Sequence, residues 1–356
     1  MPGGSEEGTR WTQTGAGDGE EQEFDRALRP RRLAEFIGQQ QVCANLDIAT
    51  RAARQRGEPL DHLLFCGSPG LGKTTLAFLI ATEMDTEVVV TSGPALAGPK
   101  DLAGTLTRLE RGDVLFIDEV HRLPRAVEEY LYTAMEDHAI DIALDPGPSG
   151  RTLRMNIAPF TLVAATTREG LLAAPFRSRF GIIERLLPYP DDDLFQILKR
   201  AAGLLNFPTD DEAAAEIARR SRGTPRVALR LQRRLRDLAQ VRGAAHLDHS
   251  TAIEGLDQLG VDVLGLEQID RELLIAMIER GGEPVGLKTL AAAVAEAEDT
   301  LESVIEPYLL RIGFLNRTPR GRQPTEKAYR HLGRTPPTLA LRQSCQQGQI
   351  DFGEQR

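Results

Sequence analysis

Gly67-Ser68-Pro69-Gly70-Leu71-Gly72-Lys73-Thr74-Thr75 satisfies the phosphate-loop pattern G-x-x-x-x-G-K-[ST] without a mismatch. Three glycines let the backbone turn its N–H groups inward around phosphate oxygens. Lys73 puts a point charge on the β and γ phosphates, and the Thr74 hydroxyl is placed for Mg²⁺. The flanks suit the motif: Leu63-Leu64-Phe65-Cys66 is a short apolar run of the buried-strand type, and residues 75–84 read as the helix whose N-terminus faces the anion. A strand, loop and helix in that order predict nucleoside triphosphate binding, with Gly70, Gly72, Lys73, Thr74 and Thr75 around the phosphates.

The 356 residues suffice for two or three domains, and 27% charged with 41% hydrophobic residues describes a soluble globular chain. No apolar stretch approaches the ~18 residues of a membrane span, no secretory leader is evident, and Pro2 excludes N-myristoylation, so a cytoplasmic protein without membrane contact is expected. Cys43, Cys66 and Cys345 are odd in number and far apart, which supports neither a disulfide framework nor a zinc site. Cys66 reads as a small hydrophobe. The net charge of −9 means that any polyanion must be held by a local basic patch, against the field of the whole molecule.

Residues 1–25 are acidic, glycine-rich and almost devoid of apolar side chains, and are expected to form a disordered tail. The region 26–189 alternates short β-rich runs with helical stretches, the pattern of a parallel sheet with helices on both faces. Strands are expected at 63–66, 87–90, 114–117 and 160–164, after a helix at 40–57. Between the last two strands, alternating apolar residues on either side of Asp145-Pro146-Gly147-Pro148-Ser149-Gly150 read as a protruding β-hairpin over 140–157. Spacing alone leaves it as an edge feature or a contact device. Beyond Pro188-Tyr189-Pro190, residues 190–260 read as a small all-α domain with helices at 191–204, 210–221, 225–242 and 249–258. In 261–337, helices near 268–280, 287–295 and 299–312 precede a second hairpin at 314–323, the winged-helix order. Residues 338–356 read as a loose tail.

Asp113-Val114-Leu115-Phe116-Ile117-Asp118-Glu119 is a buried strand ending in two carboxylates. In a phosphate-loop protein Asp118 suits Mg²⁺ and Glu119 can polarise an attacking water, which argues for hydrolysis. The strand 160–164 delivers Thr166-Thr167-Arg168, and Pro175-Phe176-Arg177-Ser178-Arg179-Phe180-Gly181 is a basic, tightly turned segment. Strand-end threonines and surface arginines are also ordinary features. The six histidines show no metal spacing, and no role is assigned to His121 or Arg122.

With Gly223-Thr224-Pro225-Arg226, these motifs stand in the order of the AAA+ ATPases. More narrowly, the chain resembles the RuvB family of Holliday junction branch-migration motors over about residues 24–337, including Ala27-Leu28-Arg29-Pro30, the inserted hairpin and Arg317-Thr318-Pro319-Arg320-Gly321-Arg322. The resemblance implies an AAA+ P-loop domain, an all-α lid and a winged-helix head, with ATP and Mg²⁺ as cofactors. It implies sensor 1 at Thr167, an arginine finger at Arg179 that reaches a neighbouring subunit's γ-phosphate, and sensor 2 at Arg226. Leu28, Arg29 and Tyr189 would border base and ribose. Ser68 replaces the family's usual proline at a position where backbone does the work.

A site completed by the next subunit requires a ring, a homohexamer in the family. The implied activity is ATP hydrolysis by a DNA translocase of the helicase class, driving branch migration of four-way junctions in DNA recombination and repair. The implied partners are double-stranded DNA, a RuvA-like junction-binding protein docked on the 140–157 hairpin, and a RuvC-like resolvase. Residues 311–334 carry seven basic residues against Glu326, and Arg317, Arg320 and Arg322 around the wing tip match the family's DNA contacts. The third helix of this domain carries Asp299, Glu302 and Glu306, which are expected to repel a phosphate-lined groove and leave the wing to meet the backbone without reading bases. A clamp-loader-like ATPase shares the nucleotide motifs but not this wing. A regulatory ATP switch is disfavoured by the Asp118-Glu119 pair.

Overall fold

Strands Leu63–Cys66 (β1) and Thr161–Thr166 (β6) are buried at every position, as is all but the last residue of Val114–Asp118 (β3). Unbroken apolar runs of this kind are what a parallel sheet covered on both faces demands. In this computed structural model, which describes residues 28–143 and 152–336, these strands and Val88–Ser92 (β2) and Ile182–Arg185 (β7) form one parallel sheet. Its order is β2-β3-β6-β1-β7. The expected tails, 1–25 and 338–356, lie outside the described residues.

Side chains alternate across the strands, so Leu64, Leu115, Ile117, Leu162 and Ala164 share one cluster with Leu102 and Leu106 of helix Pro99–Leu106 and with Val127 and Leu131 of helix Arg125–Asp137. Edge strand β7 is absent from the sequence expectations. Its four residues end in Glu184 and Arg185 and alternate between half-buried and exposed, so no apolar run marks them. The helix after the phosphate loop, expected from residue 75, begins at Lys73 and runs to Met84.

Ala139–Ala143 (β4) and Thr152–Asn156 (β5) pair antiparallel as a two-stranded sheet of their own, with Ile140 opposite Met155. The turn between them, 144–151, lies outside the described residues. After Pro190 come helices Asp191–Leu204, Asp211–Arg220, Pro225–Val241 and His249–Gln258.

The chain divides into two compact units between Leu259 and Gly260. In the second, helices Gln268–Ile278 and Leu287–Ala293 precede a helical stretch from Glu298 to Arg311 that contains a π-helical turn, Leu301–Ile305. Leu315–Thr318 (β8) and Gly321–Pro324 (β9) form the wing, and a backbone bridge from Val285 to Arg322 adds a third strand position. Leu273, Leu274, Leu290, Leu301, Leu309 and Leu315 make the unit's own core. A last helix, Glu326–His331, was not among the expectations: at six residues it is too short to declare a period.

Candidate nucleotide site and wing

Three adjacent strands, β3, β6 and β1, end at the same carboxyl edge, where open α/β sheets bind ligands. β1 leads into the phosphate loop, β3 ends at Asp118 and β6 delivers Thr166 and Thr167. Gly67 N–H donates to the Thr166 carbonyl at 3.1 Å, so the loop starts from a fixed point on β6. Gly70 and Gly72 have φ of +79° and +101°, the left-handed region in which a side chain is strained. A Cβ on Gly70 would stand 2.8 Å from Thr224 Cγ2 and 3.0 Å from Arg226 Cβ.

One cavity gathers the phosphate-loop residues Gly70, Gly72, Lys73, Thr74 and Thr75, the carboxylates Asp118 and Glu119, and Leu28, Arg29, Tyr189 and Arg226. Arg226 lies in the first turn of helix Pro225–Val241, which brings the helical lid to the phosphate loop. Tyr189 is buried, its hydroxyl donating to the Leu71 carbonyl at 3.1 Å, and that burial pushes its pKa up. Lys73 Nζ donates to the carbonyls of Gly67 and Ser68 at 2.7 and 2.9 Å. Ser68 thus contributes a backbone carbonyl here, the part of the residue that does not depend on its side chain.

Burial lowers the Lys73 pKa, and the negative charges of Asp118 and Glu119 oppose the fall. Burial raises the Glu119 pKa, with the neighbouring Asp118 charge adding to it and Lys73 and a hydrogen bond from Thr167 working the other way. Thr167 Oγ1 donates to Glu119 Oε2 at 3.4 Å. Glu119 itself sits at φ +51°, an uncommon conformation for a residue with a side chain and one that clusters at functional sites. No group of three or more His, Cys, Asp or Glu among the described residues could by itself hold a metal. A hydroxyl and a carboxylate beside a phosphate cradle are the donor set for Mg²⁺, which keeps water and phosphate oxygens as its other ligands. Thr74 and Asp118 would hold it, and the ion would neutralise charge on the β and γ phosphates.

The cavity also contains Phe36, Ile37, Ile197, Arg200 and Leu229, to which the sequence reading assigned no role. Arg200 donates to the Leu28 and Arg29 carbonyls at 3.2 and 3.4 Å and faces Glu35 at 3.6 Å. Nothing in the amphipathic pattern of 191–204 distinguishes it. His121 is likewise at the site, beside Glu119 and Thr166.

Arg179 is not among the residues lining the cavity. Its guanidinium donates to the Pro175 carbonyl at 2.6 Å, stands 3.1 Å from Glu136 and stacks over the Tyr132 ring.

The family model for the Holliday junction DNA helicase RuvB P-loop domain matches residues 28–186. Those for the RuvB AAA lid domain and the RuvB C-terminal winged helix domain match 189–262 and 263–333.

The chain belongs to the RuvB family.

A solved structure described as the Thermotoga maritima RuvB Holliday junction branch migration motor is 52% identical, with a TM-score of 0.80, covering 87% of this chain and 100% of that one. A variant of Thermotoga maritima RuvB is 53% identical, with a TM-score of 0.81 and coverage of 87% and 99%. The Aeropyrum pernix ORC2 protein, at 15% identity, a TM-score of 0.53 and coverage of 83% and 91%, shares the fold alone. RuvB family membership carries the AAA+ architecture, nucleotide binding and ATP hydrolysis with it.

In the RuvB-type wing, Arg317 and Arg322 stand directly opposite each other on β8 and β9. Like charges so placed repel. Glu306, only 1% exposed, resolves the conflict: it accepts from Arg317 Nε and lies 2.7 Å from Arg317 Nη2, and it accepts from Arg322 Nε at 2.7 Å. Glu302 lies within 3.7 Å of both arginines. Glu306 is therefore covered by the wing rather than displayed on the helix surface, and a helix period does not reveal that the wing folds back onto it. Arg317 remains 45% exposed and Arg322 only 17%, while Arg320 at the turn is exposed. No helix among the described residues is long and apolar enough to cross a membrane.

Proposed function

We propose that this protein is the ATP-driven motor of Holliday junction branch migration, working as a homohexameric ring on double-stranded DNA with a RuvA-like junction-binding partner. The observation that carries the reading is the division of labour between two groups of residues. Lys73, Asp118, Glu119 and, from the lid, Arg226 meet in one cavity, whereas Arg179 projects from another place on the same subunit. An arginine outside its own site suits a finger that completes the site of the next subunit, as a ring requires. Nucleotide held between the phosphate loop and Arg226 can change the angle of lid to sheet on turnover and so move bound DNA.

Thr167 serves as sensor 1 and Glu119 as general base, while Leu28, Arg29 and Tyr189 border the base and ribose. The 140–157 hairpin is the docking element for the RuvA-like protein. Exposed Leu153 on β5 offers an apolar contact for it. Arg317, Arg320 and Arg322 belong to the DNA-binding wing, and a RuvC-like resolvase acts on the same junctions in the cytoplasm.

The test is ATP-driven dissociation of a synthetic four-way junction with and without the RuvA-like partner, with Lys73→Ala as the inactive control. Dissociation that needs both ATP and the partner is the expected result. Hydrolysis without dissociation, in the presence of an active partner, would replace the motor by a clamp-loader-like role.

A further inference from the structure

His121 lies on the turn Val120–Arg122 just after β3, with its side chain 6% exposed. Its two ring nitrogens meet two different parts of the nucleotide site. Nε2 is 3.3 Å from Glu119 Oε2, and Nδ1 is 3.0 Å from Thr166 Oγ1.

The chemistry of the partners sets the tautomer. An ionised carboxylate only accepts, so a neutral His121 ring would carry its hydrogen on Nε2, facing Glu119. In the neutral ring Nδ1 is then an acceptor, and the Thr166 hydroxyl donates to it. The same Thr166 oxygen accepts the Arg168 N–H at 3.0 Å, and the Thr166 carbonyl accepts from Gly67 N–H. A run of close polar contacts therefore joins the start of the phosphate loop, the end of β6 and the Glu119 carboxylate.

A histidine that merely satisfied a core could use any pair of acceptors and donors. This one shares its acceptor with Thr167, whose hydroxyl also donates to Glu119 Oε2. Two donors directed at Oε2 would orient the carboxylate and leave Oε1 to take the proton of an attacking water.

We propose that His121 is a positioning residue for Glu119, held in place by Thr166. The inference rests on Glu119 being the general base. Through Thr166, the orientation of that base is tied to the same strand end that anchors the phosphate loop. The role is one of geometry, so it bears on turnover rather than on nucleotide affinity.

The experiment compares His121→Ala, His121→Gln, Thr166→Val and Glu119→Gln in the full-length protein. Steady-state ATP hydrolysis on double-stranded DNA and equilibrium binding of a non-hydrolysable ATP analogue are measured for each. A positioned base contributes roughly 10²–10⁴-fold, so His121→Ala should cost on the order of tenfold or more in kcat with the analogue bound as before. Gln, which can donate to Glu119 and accept from Thr166, should recover most of the loss. Thr166→Val should lower kcat in the same direction and add little to His121→Ala.

Wild-type turnover in His121→Ala, or analogue binding that falls in step with kcat, overturns the proposal. If His121→Ala does not fold, Thr166→Val decides: wild-type turnover in that variant would overturn it as well. Full hydrolysis by Glu119→Gln would instead remove the general-base reading on which the proposal stands.

Discussion

The guanidinium carbon of Arg179 lies 4.3 Å from the centroid of the Tyr132 ring. Tyr132 in turn packs against Phe176, which packs against Phe180, and its hydroxyl donates to Glu128. Cation–π contact and the Glu136 carboxylate thus hold an arginine in a defined place on the surface of its own subunit. If Arg179 is the finger proposed above for a neighbour's transition state, Arg179→Ala should lower ATP hydrolysis by about 10³-fold or more while leaving ATP affinity essentially unchanged. Unaltered turnover in an assembled ring would refute the assignment.

The two wing arginines should behave differently. Arg317 is the more exposed, so Arg317→Ala should reduce the slope of log K against log salt by about 0.9 for one lost phosphate contact. Arg322 is largely buried against Glu306, and Arg322→Ala should destabilise the winged-helix unit by roughly 3 kcal/mol, as loss of one partner from a buried ion pair does. Salt titrations of DNA binding and denaturant melts separate the two effects. Equal slopes for wild type and Arg317→Ala would take that residue out of the interface.

Gly70→Ala tests the closeness of lid and loop. At φ +79° an alanine is strained by about 1–2 kcal/mol, and its methyl group would press on Thr224 and Arg226. ATP affinity should fall about tenfold or more, by isothermal titration. Retained affinity would mean that the loop relaxes without disturbing Arg226.

Asp248 caps helix His249–Gln258, accepting from Ser250 Oγ at 2.6 Å and Thr251 N at 2.8 Å. The Ser250 hydroxyl and then the Thr251 N–H lower its pKa from 3.8 to about 2. A carboxyl depressed in the folded state adds stability that is fully present above 3.8 and is lost as pH falls through about 2. Asp248→Ala should therefore be less stable than wild type at neutral pH, and the gap should close on acidification. Thermal melts at a series of pH values measure it, and a gap independent of pH would mean that charge has no part in the cap.

The phosphate loop, the Asp118-Glu119 strand end, the four lid helices and the wing are all legible in the sequence. Each is written in local terms: a backbone turn that needs glycines, an apolar run that needs a strand, a period of 3.6 that needs a helix. β7 and the short helix Glu326–His331 escaped because neither is long or apolar enough to carry a period.

Sequence by itself therefore determined that this chain binds nucleotide in a parallel α/β sheet and carries a winged-helix unit, since each of those signals is written in a run of neighbouring residues. Only tertiary structure decided what the charged residues face. Glu306 turned from an expected repulsive surface into the partner of Arg317 and Arg322, and His121 from an unassigned residue into a neighbour of Glu119. The reason is physical. A side chain's charge is a property of its own residue, but its burial and its partner are set by segments far away in the chain, which meet only when the core forms.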